Sequence, residues 1–232
     1  MSAETLRLDP RQREAATAEL AAAFAALSPG AALILETPGD PRALARSLCE
    51  TVWGQFDWIP LRQGEGDWQV ELRKRTRPGP EQISGFLTED HKRCDDLFAE
   101  AEQAALAGNA RRTAGLFALF QTGLLRHLRM EEEVLFPALD RRMGFMGQGP
   151  TTIMRDEHEQ LRSLLARMGE ALAPAAGGDP AAADLSAYAD ACETFLILME
   201  QHNMKEEEVL YPMMDDALGA ETQALLQQLL TS

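Results

Sequence analysis

The chain holds four histidines, and each sits in a context that occurs twice. His127 opens HLRMEEEVLFP and His202 opens HNMKEEEVLYP, so both read H-x-x-x-E-E-E-V-L-(F/Y)-P. The other two match as Asp90-His91 and Glu157-His158. Residues four apart share one face of a helix, with Cβ atoms about 5–6 Å apart. Each His-x-x-x-Glu therefore offers an imidazole and a carboxylate to one cluster. Imidazole and carboxylate without thiolate suit Fe or Mn, and Zn also binds such sets. The candidate ligands are His91, His127, Glu131, His158, His202 and Glu206.

Helices must place them. From Ser84 onward the pattern is helical, with four long segments at roughly 86–107, 111–142, 151–173 and 183–216. The breaks are Gly108-Asn109, Gly144 through Pro150 and Pro174 through Pro180. Connections this short make successive helices antiparallel. The fold class expected is mainly α, an antiparallel four-helix bundle preceded by a small α+β domain. The spacing from first to second histidine is 36 residues in one hairpin and 44 in the other, the excess matching the Ala/Pro/Gly connector Ala173–Pro180. All four histidines fall on apolar stripes at +3/+4 steps. One runs His158, Leu161, Leu165, Met168 and Leu172. Others carry His127 and Glu131 on to Val134 and Ala138, and His202 and Glu206 on to Val209 and Met213. Two glutamates thus point inward, where unpaired charge is very costly. No Lys or Arg lies on these stripes, so a pair of cations is the expected partner. Glutamates shared between two metals suit a separation of about 3.5–4 Å.

Residues 1–77 read as βαβαββ, residues 78–83 as a linker, and residues 84–232 as the bundle with a tail helix near 220–231. Asp9-Pro10 and Asp40-Pro41 can each start a helix. Ala32–Glu36 is a buried-strand pattern, and two strands flank Gln63–Asp67. The basic run RKRTR at 73–77 reads as a solvated edge strand, since Lys and Arg protect edges. Docking of an acidic partner is its alternative.

The net charge of −15 is uneven, −1 over residues 1–77 and −14 over the remainder. The acidic part repels phosphate backbones and anionic lipids, so neither nucleic acid nor a membrane surface is an expected partner. Cys49, Cys94 and Cys192 form no close pair, and free thiols suit a reducing compartment. With no apolar signal region after Met1, the expected location is the cytoplasm.

On the repeated His-x-x-x-Glu-Glu-Glu-Val-Leu-(Phe/Tyr)-Pro motif and the lone histidines before each copy, residues 84–217 resemble a hemerythrin-like (HHE cation-binding) domain. Within that group they are most similar to the di-iron proteins that repair iron centres, including iron–sulfur clusters, under nitrosative and oxidative stress. The resemblance implies the six residues named above as ligands of two Fe ions (Fe2+/Fe3+, oxo- or hydroxo-bridged), with Glu131 and Glu206 bridging. It implies NO or reactive oxygen as reactant, NO reduction and peroxide reduction being the enzymatic forms, and iron–sulfur proteins as partners. A module that binds or senses O2 or NO and signals through the N-terminal domain is the alternative. Oxygen-carrying hemerythrins have a fifth histidine one turn after the third-helix histidine, where this chain has Arg162. The N-terminal region loosely resembles a small domain related in fold to sulfur carriers, but Leu8-Asp9-Pro10 stands where those need cysteine.

Around the ligands, Glu132, Glu133, Glu207 and Glu208 read as a solvated helix face, with a gate to the metal as the minor alternative. Asp90 and Glu157 are candidates to orient an imidazole of a neighbouring helix. Cys94 reads as a core thiol. Tyr188 lies 14 residues from His202, about 21 Å along a helix, too far to take part.

Overall fold

In a computed structural model, residues 4–64, 66–145, 147–173 and 184–231 are described. They form two compact units, residues 1–82 with 223–232, and residues 83–222. The connector expected at 174–180 and the tip residue Glu65 lie outside the described residues.

The first unit follows the expected order, β1 (Glu4–Arg7), α1 (Arg13–Ala26), β2 (Ala32–Thr37), α2 (Arg42–Val52), β3 (Phe56–Arg62) and β4 (Trp68–Lys74). The sheet order is β1-β2-β4-β3. β1 and β2 are parallel, while β4 runs antiparallel to both β2 and β3. Strict alternation buries Leu33, Leu35 and Thr37 on β2, with Phe56, Trp58, Val70 and Leu72 on the hairpin. β4 is therefore an inner strand, which corrects the edge-strand reading of its basic run. Those charges have local work. Arg73 pairs with Glu71, and Arg75 with Asp57. The Lys74 ammonium donates to the carbonyls of Phe24, Ala25 and Leu27, which closes the C-terminus of α1.

The second unit is built from four long helical stretches. The first is α3 (Ile83–Leu106). The second is α4 (Ala110–Arg129), a π-helical segment Met130–Leu135, then α5 (Phe136–Met143). The third is α6 (Pro150–Leu172). The fourth is α7 (Leu185–Lys205), a π-helical segment Glu206–Leu210, then α8 (Tyr211–Leu218). α3 packs along α4 and α6 along α7, with α4 against α6 and α3 against α7 and α8. Gly108 takes a left-handed φ of 71° to turn the chain, and the Asn109 side chain accepts from the Arg112 N–H to cap α4. Asp215 caps α3 by accepting from the N–H groups of Ile83 and Ser84. A last helix, α9 (Thr222–Leu230), lies almost wholly in the first unit. The sequence pattern alone groups it with the bundle. Its leucines at 225, 226, 229 and 230 are buried, but periodicity names a face to bury and not the unit that buries it.

The two π segments have one cause. Pro137 and Pro212 lack an N–H, and in an α-helix their rings would meet the carbonyl four residues back. The backbone instead widens by one residue just before them. Phe136 N–H donates to the Glu131 carbonyl and Tyr211 N–H to the Glu206 carbonyl, each five residues back. The extra residue shifts the helical phase, which corrects the expected stripe beyond Glu206; beyond Glu131, Ala138 is buried as expected and Val134 is half-buried. Val209 is exposed and Met213 only half-buried, while Leu210, Tyr211 and Met214 turn inward.

Along the bundle the interior changes character. One half is apolar and aromatic, with Phe98, Phe117, Phe120, Phe195, Tyr188 and Leu165 in contact. The other half buries the histidines.

Candidate metal centre

α3, α4, α6 and α7 deliver one histidine each to the polar half. His127, Glu131, His158, His202 and Glu206 have no solvent exposure, and His91 has 3%. All six predicted residues are brought together. The Nε2 atoms of His91 and His127 lie 3.0 Å apart. Glu206 reaches across the cluster, 3.3 Å from His91 Nε2 and 3.0 Å from His202 Nε2. Glu131 lies 3.7 Å from His127 Nε2 and 3.3 Å from His158 Nε2. Donor atoms that share one ion at about 2.0–2.2 Å lie about 3 Å from one another. Two groupings have such closeness, Glu131/His158/His202/Glu206 and His91/His127/Glu206, each within 4.8 Å.

Hydrogen bonding tests whether a cation fits. Glu131 Oε2, Glu206 Oε1, His158 Nε2 and His202 Nε2 are fully buried, and none has a hydrogen-bond partner among the described residues. His202 Nε2 and Glu206 Oε1 are close in distance but not aligned as donor and acceptor. Buried polar atoms are rarely left so, because each costs about 1–3 kcal/mol. Four of them converging, two imidazole nitrogens and two carboxylate oxygens, form a donor set that suits a divalent metal. The buried cation Arg126 does not relieve them, because it pairs with Asp90.

Behind each histidine stands a carboxylate. Asp90 Oδ2 is 3.1 Å from His127 Nδ1, and Glu157 Oε2 is 3.0 Å from His202 Nδ1. These are the neighbouring-helix targets expected from sequence. Glu132 Oε1 is 2.7 Å from His158 Nδ1, and Glu207 Oε1 is 2.8 Å from His91 Nδ1. This corrects the solvated-face reading of Glu132 and Glu207; one residue past each inward glutamate, they reach across to the other hairpin. The four contacts close a ring in which each helical stretch orients the histidine of the next: Asp90 of α3 to α4, Glu132 of the π segment after α4 to α6, Glu157 of α6 to α7, and Glu207 of the π segment after α7 back to α3. An ionised carboxylate only accepts, so each Nδ1 carries the proton and each Nε2 turns inward. Cations hold three of the acids in turn. Arg93 and Arg126 contact Asp90, Arg162 contacts Glu132, and Lys205 contacts Glu157. Arg162 thus supports a histidine from the position where oxygen carriers place one.

The electrostatics follow from these contacts. Burial pushes His158 down, but the carboxylates of Glu131, Glu132 and Glu206 outweigh it and hold its pKa at about 11. His91 stands at about 9 for the same reason, through Glu206 and Glu207. Burial alone would raise Glu132, yet His158 and Arg162 hold it at about 2. Protons and metal ions therefore compete for the same imidazoles, and metal binding releases protons. Cys94, lifted to about 12 by burial, is an inert core thiol as expected.

Sequence reasoning missed Tyr211. Its hydroxyl lies 2.9 Å from Glu131 Oε1, 2.9 Å from Glu206 Oε2, 3.0 Å from His91 Nε2 and 3.2 Å from His127 Nε2. The available signal was the proline after it, which breaks α-helical phase. Tyr188 does lie elsewhere, in the aromatic half against Phe117.

A four-helix bundle with one histidine per helix and two inward glutamates defines a cation-binding protein of the hemerythrin class. Residues 82–214 match the hemerythrin HHE cation binding domain, and the chain belongs to that family. Over 133 residues it is 30% identical to the iron-sulfur cluster repair protein YtfE of Cronobacter sakazakii (strain ATCC BAA-894), covering 53% of this chain and 56% of that protein. The chain thus spans little more than half the length of this curated relative. No solved structure matches it. Among the described residues, no helix is long and apolar enough to cross a membrane.

Proposed function

We propose that the bundle is a non-haem di-iron protein that reacts with NO or reactive oxygen and serves the repair of iron–sulfur centres in the cytoplasm. The observation that carries the metal reading is the set of four buried donor atoms of Glu131, His158, His202 and Glu206 that converge without a hydrogen bond. His91, His127, Glu206 and Glu131 would hold a second ion, the glutamates being shared. The similarity to a protein named for iron–sulfur cluster repair supports the repair role.

When bound, two irons supply one-electron and two-electron redox chemistry to a small ligand. The chain's own residues prepare that chemistry. The carboxylate ring keeps each Nδ1 protonated and each Nε2 aimed inward. The aromatic half excludes water from one end of the site. Free, buried Cys49, Cys94 and Cys192 fit a reducing compartment.

The test is metal analysis of the purified protein, followed by anaerobic NO addition to its reduced form. The expected result is about two irons per chain and release of N2O. A lasting spectral change without N2O would favour the sensing module. Absence of bound metal would overturn the proposal.

A further inference from the structure

The sequence repeat gives the bundle an approximate two-fold relation, and beside the ligands it fails at the ring before each proline. Phe136 and Tyr211 occupy matching places, each directly before the proline. The Phe136 ring stacks on His158 at 5.6 Å and 23°. The Tyr211 ring lies against His91 at 5.6 Å and 37°. What differs is the hydroxyl.

That hydroxyl divides the six-residue cluster into unlike halves. On its side, His91 Nε2, His127 Nε2, Glu131 Oε1 and Glu206 Oε2 all lie within 3.2 Å of it. A phenol has one proton to donate and lone pairs that accept, so it serves carboxylates and imidazole N–H groups alike. On the Phe136 side, the matching four atoms have no hydrogen-bond partner among the described residues.

We propose that Tyr211 makes the two metal positions unequal: the His158/His202 position binds first and tightly, and the His91/His127 position binds second, weakly and exchangeably. This rests on the two-metal reading above. An ion between His158 and His202 meets donor atoms that make no hydrogen bond among the described residues and contact one another at 3.0–3.8 Å. An ion between His91 and His127 must first displace the hydroxyl from donors it already satisfies. Position adds to this difference. His91 is the one ligand with any exposure, and its orienting acid Glu207 is 41% exposed against 22% for Glu132. The exchangeable ion is thus the one nearer solvent.

The experiment is an anaerobic equilibrium titration of the full chain with Co2+, followed by visible absorption and chelator competition. Wild type should bind two ions in separate steps, the first about tenfold tighter or more, the scale set by hydrogen bonds to charged groups. In Tyr211→Phe the second step should tighten until the two nearly merge. In Phe136→Tyr the added hydroxyl should weaken the first step by a similar factor. That variant keeps the inference testable if Tyr211→Phe fails to fold. Two equal affinities in wild type would overturn it. So would a weaker second step in Tyr211→Phe, because the hydroxyl would then be a ligand and not a competitor. No Co2+ bound by wild type would overturn the metal reading itself, a result distinct from either.

Discussion

The same four helices build both ends of the bundle, yet the ends obey different rules. In the aromatic half, Phe98, Phe117, Phe120 and Phe195 meet with ring centroids 5.1–6.2 Å apart and no charge among them. In the histidine half, four imidazoles and two carboxylates are buried as deeply, and four of their atoms make no hydrogen bond among the described residues. The first end stabilises the fold by removing apolar area from water. The second costs the fold stability unless a cation is present. The apolar packing and the candidate metal ligands thus lie at opposite ends of the helix axes, and damage to one end is expected to spare the other.

The largest effect expected is on metal content. Glu206 belongs to both donor groupings, so Glu206→Gln should lose most of the bound metal at neutral pH while the helical circular dichroism of the bundle persists. Retention of two ions in that variant would show that the carboxylate is not shared. The reverse experiment is Phe195→Ala in the aromatic half. It should cost about 3–5 kcal/mol in chemical denaturation, with the metal content of the folded fraction unchanged. Loss of metal at equal folding would mean that the two ends are coupled.

Smaller effects test the ring. Asp90→Asn keeps the shape but removes the charge that holds His127 Nδ1–H and engages Arg93 and Arg126. Metal affinity should fall about 10–100-fold, the usual cost of losing a group that orients a ligand. An unchanged affinity would reduce Asp90 to a structural ion pair. The smallest effect is a pH dependence in the metal-depleted chain. Glu132 has its folded pKa depressed from 4.5 to about 2 by His158 and Arg162. Its contribution is fully present above its ordinary value and is lost as pH falls through about 2. The gap in denaturation midpoint between wild type and Glu132→Gln should therefore close across that window. A gap that persists at lower pH would assign the effect to packing.

Much of this was legible before any coordinates. The helix breaks at Gly108-Asn109 and after Gly144 lie where glycine and asparagine chemistry puts them. The βαβαββ order follows from alternation on Ala32–Glu36 and from the turn residues at 63–67. The readings that failed share one kind of cause. A 3.6-residue period places Val209 and Met213 inward and Tyr211 off the stripe, but the segment before Pro212 does not keep that period. Glu132 and Glu207 were placed outward because their own helix offers them no partner, whereas the partner is on another helix. The basic run at 73–77 was put at an edge because strand order is not written in any single strand.

What the residues determined alone is local: which segments wind into helices, which stripe each helix must bury, and that histidines and glutamates fall on those stripes. Such properties follow from spacing along one chain segment and from the cost of exposing or burying each side chain. The tertiary structure decided which side chains meet. It closed the ring of acids and imidazoles across four helices, brought the Tyr211 hydroxyl among four donor atoms and left the matching four without a hydrogen bond. Apart from Tyr211 with Glu206, five residues apart, contacts of that kind join neighbours 26 to 120 residues away in sequence and depend on helix phase, and no local period carries that information.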